Sequence, residues 1–309
     1  MEKSYDIIGM GVCAFDVLVE VDRFPGRDEK LRARRVVTQG GGLVGTALVA
    51  AARLGGRCAY LGALGDDSFA ESCAREFEAE GVATDLIRRE KGSSVVTAFI
   101  VADRSAGTRM ILYTAEGAAK LRPEEVAEEV IAQGRVLHVD NFFPETALKG
   151  ARIARSLGVP VTMDMERRES PNHEFVALGD YVIVPLGLAA DLYGASGLEE
   201  AARALYEKVA AGGGRMAVVT DGTRGSLGVH EGGVIRQPAY RAEIVDTTGC
   251  GDVYHGAFAL GVARGWEPER TMAVASATAA LKCRKLGGRQ GIPTMREVEE
   301  FLESAEPIE

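Results

Sequence analysis

The sequence predicts an α/β fold built on a mainly parallel sheet, with a small second sheet standing off it. Three observations predict it. Short apolar runs alternate with helical segments of ten or more residues, the rhythm of βαβ crossovers. Four other segments alternate apolar with polar residues, as strands with one buried and one wet face do. The last third of the chain is helical in pattern.

Residues 5–11 read as a short buried strand. In 13–22, Phe15, Val17, Val19 and Val21 alternate with Asp16, Leu18, Glu20 and Asp22, and 31–38 is also strand-like. An Ala-rich helix over 43–54, a strand over 58–65 and an amphipathic helix over 68–80 follow. Segments 95–102 and 110–114 form a hairpin around the polar 103–109. Strands then fall at 136–140, 159–164, 181–184 and 216–220, with helices at 145–157 and 198–211. Helices at 253–264 and 267–285 precede a last one opened by Thr294-x-x-Glu297, a capping-box spacing. The four alternating strands suit a lid over a cleft, an edge extension or a dimerisation sheet, and these are compatible. The expected division is a core of 1–12, 39–94 and 115–309 and a lid of 13–38 and 95–114.

The chain has 309 residues, a length of one or two domains. Its 45 acidic and 36 basic residues leave a net charge of −9, a field that repels nucleic acid and anionic membranes. A 46 % hydrophobic content argues against disorder. The five cysteines are scattered without a C-x-x-C, so free core thiols in a reducing cytoplasm are expected. The polar start Met1 to Asp6 predicts no signal peptide, and no apolar run is long enough for a membrane span.

Gly9-Met-Gly11-Val-Cys-Ala14 imitates a dinucleotide fingerprint, but a strand pattern follows it where a helix is required. A P-loop motif is absent. The strongest segment is Asp246-Thr-Thr-Gly249-Cys250-Gly251-Asp252, just before a helix. Two glycines at a helix N-terminus allow a turn of outward N–H groups, and the helix dipole adds positive potential there. Such a nest suits a transferring phosphoryl group, and Asp252 could take the proton of an attacking hydroxyl. The other reading makes Asp252 an ordinary first-turn acid. A second segment, Gln39-Gly-Gly-Gly42-Leu-Val-Gly45-Thr46, opens a helix and brings backbone close to a small ligand or to a neighbouring helix.

Together these segments resemble the ribokinase-like (PfkB) family of sugar and nucleoside kinases, over nearly the whole chain. Its two signatures correspond to Gly41 through Gly65 and Asp246 through Arg264. Gly40-Gly-Gly42, Ala50-Ala-Ala-Arg53-Leu-Gly55, Tyr254-His255-Gly256-Ala257 and Lys282-Cys283 with Gly287 to Pro293 look most like the sulfofructose kinase and ketohexokinase branch. The resemblance implies a three-layer α/β/α fold with a β-sheet lid, and ATP and Mg²⁺ as cofactors. It makes Asp252 the catalytic base and the amides of Gly249, Cys250 and Gly251 an anion hole. Asp16, Gly41 and Gly42 would hold the acceptor. Thr220, Gly222 and Gly225 would lie beside ATP, with Ala280 and Cys283 near the adenine. Asp246 and carbonyls after Cys283 match a monovalent-cation (potassium) site.

Three departures stand out. The family's sugar-contacting Asn is Thr46 here. Its Asn-x-x-Glu is replaced by Leu186-Gly-Leu-Ala189, which has no acid for Mg²⁺. Cys250 stands for the usual Ala, and only its amide is needed. Asp164 and Glu166, two apart at a strand end, could supply acidic groups for Mg²⁺-bound water, or be a solvated turn. Arg104 and Arg109 on the hairpin could clamp an anionic substrate tail, or be solvated loop charges. His255 could touch the acceptor pocket, although a satisfied helix histidine is the plainer reading.

The expected activity is ATP-dependent phosphorylation of a small sugar or sugar acid by a cytoplasmic homodimer paired through the lid. Asp252, Gly249, Cys250 and Gly251 are its catalytic residues, and Asp16, Gly41, Gly42, Thr46 and Arg109 its substrate-binding residues. A nucleoside kinase and a non-catalytic nucleotide or metabolite sensor are the rivals.

Overall fold

Alternate residues of each central strand feed two separate cores, so these strands are apolar throughout. In a computed structural model that describes residues 3–308, Ile7 packs into one core and Ile8 into the other. Met1 and Glu2, part of the polar start, and the outer bounds of the expected core at 1 and 309 lie outside the described residues.

Strand β1 (Tyr5–Met10) leads to β2 (Ala14–Val21), β3 (Arg35–Gly41) and helix α1 (Leu43–Arg53). Next come β4 (Cys58–Tyr60), β5 (Gly62–Leu64), α2 (Ser68–Ala79), β6 (Val82–Ala83), β7 (Ile87–Arg89), β8 (Val96–Asp103) and β9 (Thr108–Thr114). The middle holds α3 (Glu128–Ile131), β10 (Gly134–Asp140), α4 (Pro144–Ser156), β11 (Val161–Asp164), α5 (Asn172–Leu178) and β12 (Tyr181–Pro185). Then follow α6 (Leu186–Tyr193), α7 (Leu198–Ala211), β13 (Met216–Thr220), β14 (Ser226–His230) and β15 (Gly233–Gln237). Helices α8 (Cys250–Ala263), α9 (Pro268–Lys282) and α10 (Met295–Leu302) end the described chain.

The main sheet has nine strands in the order β15-β14-β13-β12-β11-β10-β1-β4-β6. It is parallel from β13 through β6, and β14 and β15 add an antiparallel edge. One face packs on α1, α2, α8 and α9, the other on α4, α5 and α7, giving three layers. From β1 the chain first builds outward through β4 and later returns to place β10 on the other side of β1. That reversal opens a crevice at the carboxyl ends of β1 and β10, where open α/β sheets bind ligands.

The second sheet runs β3-β2-β8-β9, with β2 and β8 parallel and the outer pairs antiparallel. Leu18, Ala98 and Ile100 form its own small apolar core. Gln39 to Gly41, expected in the main body, instead pair here with Asp16, Phe15 and Ala14.

Other expected boundaries shift for local reasons. The run 58–65 is two strands, because Leu61 N–H still bonds the Gly9 carbonyl (2.9 Å) before the chain leaves β1 and pairs with β7. The β14–β15 hairpin escaped the pattern because Gly228, Gly232 and Gly233 interrupt its apolar alternation. Helix α8 starts at Cys250, three residues before the expected 253, which puts Asp252 in its first turn. The last helix begins as expected, with the Thr294 and Glu297 capping box formed. Among the described residues no helix is long and apolar enough to cross a membrane.

Candidate active site

The turn that opens α8 is built by Gly249, the helix N-cap, at φ +73°. A Cβ there would lie 2.8 Å from the Gly288 Cα, so only glycine fits. The Asp246 carboxylate braces the loop. Oδ1 accepts from Thr248 N (2.9 Å) and Thr248 Oγ1 (2.7 Å), and Oδ2 accepts from Gly287 N (2.7 Å). Cys250 N–H leans back to the Thr247 carbonyl at 3.3 Å, a weak bond, and Gly251 is exposed to the cleft. First-turn N–H groups of a helix have no intrahelical acceptor and carry its positive dipole end.

Asp252 lies half-buried in the first turn of α8, next to Gly251, which lines the cavity beside it. Burial and the negative charges of Glu166, Asp16 and Asp140 push its carboxyl well above the usual range, while the Lys282 ammonium opposes them. A raised carboxyl is a stronger base toward an alcohol than an ordinary aspartate. Lys282 is fully buried, and its Nζ donates to the Asp246 carbonyl at 2.9 Å. The Asp246 carboxylate, expected at a monovalent-cation site, makes its hydrogen bonds within the loop, and Lys282 binds the Asp246 carbonyl.

Asp16 faces the cleft from β2, 6 % exposed. A Cβ on Gly41 would lie 2.2 Å from Asp16 Oδ2, so the glycine lets the carboxylate and the backbone meet. Gly42 follows at φ +82° and turns the chain into α1. Burial raises the Asp16 carboxyl to about 6, against the pull of Arg289 and with a push from Glu76. Arg289 is fully buried, donating to the Gly41 carbonyl (3.0 Å), pairing with Glu76 (3.2 Å) and lying over the Phe77 ring. Thr46 lies on α1, four residues after Gly42. It is buried in α1, and its methyl lies near Gly288, the residue packed against Gly249 of the turn.

Asp140 and Asp164 end β10 and β11 side by side in register. Asp140 accepts from Val12 N (2.7 Å) and Phe142 N (2.9 Å), and burial raises its carboxyl to about 6. The expected Asp164 and Glu166 pair is divided. Strand β11 stops at Asp164, so the rule that puts i and i+2 on one face ends there. Asp164 is buried (1 %) and pushed well up by burial and its acidic neighbours, with His255 Nε2 3.3 Å away. Glu166 is exposed beside Gly251, and desolvation raises its carboxyl against the pull of Arg109. Arg109, on β9, crosses the cleft to donate to Thr247 Oγ1 at 2.7 Å, whereas Arg104 stays exposed on the hairpin turn. His255 and His138 lie beneath in the core, their rings 6.2 Å apart, and burial keeps both imidazoles neutral.

Beside the α8 turn lies a cavity of about 250 Å³. All five residues expected at the nucleotide line it, Thr220, Gly222, Gly225, Ala280 and Cys283, together with Cys250 and Gly251. Sequence reasoning missed Asp140, Lys282 and Arg289. An acid at the end of a buried strand was the available signal for Asp140.

The sequence model of the pfkB family of carbohydrate kinases matches residues 6–295. The ribokinase of Bacillus subtilis is 27 % identical over 303 residues, covering 96 % of this chain and 99 % of its own. The ATP-dependent ribose-1-phosphate kinase of Halopiger xanaduensis is 29 % identical over 303 residues, covering 96 % and 97 %. The solved ribokinase structure of Thermotoga maritima superposes with a TM-score of 0.84 at 27 % identity, covering 96 % of this chain and 99 % of that one. With a match that runs from β1 into α10, on a chain whose acid, glycine turn and cavity meet at the sheet's carboxyl edge, the chain belongs to the pfkB family of carbohydrate kinases.

Proposed function

We propose that this kinase transfers the γ-phosphoryl group of ATP to a hydroxyl of a small sugar or sugar acid, with Asp252 as the base. The carrying observation is the convergence of Asp252 and the Gly249, Cys250 and Gly251 turn between the cavity and Asp16. ATP would fill the cavity with its phosphates toward the turn. The acceptor would lie between Asp16, Gly41 and Gly42, two of its hydroxyls donating to the Asp16 carboxylate. Asp252 takes the proton of the attacking hydroxyl as its oxygen bonds phosphorus, and the bond to the ADP oxygen breaks. The turn's N–H groups stabilise the charge on the phosphoryl oxygens. The acid-lined acceptor side favours a polyhydroxylated acceptor over a nucleoside base. Screening hydroxylated metabolites for ADP release, with and without Mg²⁺, tests this. Activity on a sugar supports it, and ATP binding without turnover of any acceptor favours a sensor.

For Mg²⁺ the residues present fit through one group. Glu166 is an exposed carboxylate beside Gly251 whose raised carboxyl lacks a full counter-charge. Bound there through water, the ion would neutralise the phosphate oxygens. Glu166→Gln should raise the Mg²⁺ concentration for half-maximal activity several-fold with little change in sugar KM. Asp164→Asn should leave the Mg²⁺ dependence unchanged. Equal Mg²⁺ curves for Glu166→Gln and the parent would remove the metal role.

The small sheet is proposed as a lid and as the dimer contact. Every residue of β9 is exposed, and Met110, Ile111, Leu112 and Tyr113 are 41–58 % exposed. An edge strand this apolar invites pairing, and a two-fold contact covers the same patch on both copies. Sedimentation at micromolar concentration should give a dimer, and Leu112→Asp should give a monomer. A monomeric parent protein would defeat the contact.

A further inference from the structure

We propose that Cys250 and Cys283 are a redox-sensitive thiol pair, and that closing it to a disulfide arrests phosphoryl transfer. The two Sγ atoms lie 2.9 Å apart, although 33 residues separate them in sequence. Both line the cavity beside the α8 turn, and Cys250 is partly exposed there, so a small oxidant can reach the pair. The pair would tie together two elements of the site. Cys250 is the first residue of α8 and Cys283 is the C-cap of α9. The Cys283 carbonyl also accepts from Val245 N (2.9 Å) and Asp246 N (3.1 Å), at the root of the same glycine loop.

The reaction consumes one hydrogen peroxide. One thiolate sulfur attacks a peroxide oxygen, the O–O bond breaks, and the departing oxygen leaves as water, giving a sulfenic acid. The second thiol attacks that sulfur, the S–O bond breaks, and the oxygen leaves as the second water while the S–S bond forms. Both thiol protons end in water. Disulfide sulfurs are about 2.05 Å apart, so the two must close by roughly 0.9 Å. That motion acts on the residue whose own amide belongs to the turn. A misplacement of this size in an active site lowers turnover by roughly tenfold to a hundredfold. The effect on turnover rests on the kinase reading above, whereas the bridge itself does not.

The experiment treats the fully reduced protein with a small excess of hydrogen peroxide, then quenches it and digests it without reductant. A Cys250–Cys283 linked peptide, loss of two titratable thiols, and a fall in kcat reversed by dithiothreitol are expected. ATP added beforehand should slow the bridging. Cys283→Ser and Cys250→Ser, each compared with its own reduced form, should keep their rate after peroxide. Absence of the linked peptide overturns the proposal, and so does a linked protein with undiminished kcat or an equal peroxide loss in both variants. A reduced protein that turns over no acceptor counts against the kinase reading, while the linked peptide still decides the thiol pair.

Discussion

Asp252→Asn should lower turnover by roughly 10²–10⁴ while ATP binding stays close to that of the parent protein. The side chain sits in the first turn of α8, where an amide replaces a carboxylate without changing shape. What is lost is the ability to take a proton. The turn's N–H groups and the cavity remain, so the variant keeps the phosphate and adenine contacts. Burial and the charges of Glu166, Asp16 and Asp140 hold this carboxyl above the usual range, so its basic form appears later on the pH scale than an ordinary aspartate's. The parent enzyme's kcat/KM should therefore rise with pH beyond the ordinary carboxylate range before levelling, and the variant should lack the Asp252 part of that rise. Stopped-flow or coupled ADP assays with saturating ATP measure the first effect, and fluorescent-nucleotide titration the second. A variant with kcat within a factor of three of the parent would remove Asp252 from the chemistry.

The parts legible in the sequence are those whose meaning is local. The glycine turn and Asp252 occupy seven consecutive residues, and the turn's chemistry is set by the helix it opens. The parallel sheet was legible too, since short apolar strands alternate with helices of ten or more residues. The illegible parts depend on distant packing. Arg289 reaches the Gly41 carbonyl across 248 residues, and nothing near either residue announces it. Lys282 reads as a last-turn helix lysine until the loop folds over it and buries it. Asp164 and Glu166 were paired by strand parity, and the strand ends between them.

Asp16→Asn should abolish most sugar phosphorylation and at the same time stabilise the fold at neutral pH. Hydrogen bonds from substrate hydroxyls to a charged carboxylate contribute about 1.5–3 kcal/mol each. Losing the charge should lower kcat/KM by about a hundredfold or more, mainly through KM. The stability effect has the opposite sign. Burial raises the Asp16 carboxyl from 3.8 to about 6, so the folded chain holds its proton more tightly than the unfolded chain. Below about pH 4 both states are protonated and the site costs nothing. Between about pH 4 and 6 the unfolded state ionises first, and stability falls as pH rises. Above about pH 6 the full penalty stands, roughly 3 kcal/mol for a shift of about two units. Asparagine has no charge to bury, so its gain should be absent at pH 4 and present at pH 7. The gain is trimmed because Arg289 then keeps only Glu76 as its acidic partner. Denaturant midpoints at the two pH values measure the effect. A variant less stable than the parent at pH 7, or equally stabilised at pH 4, would show that the charge on Asp16 is well solvated and that its pocket is not strained by function.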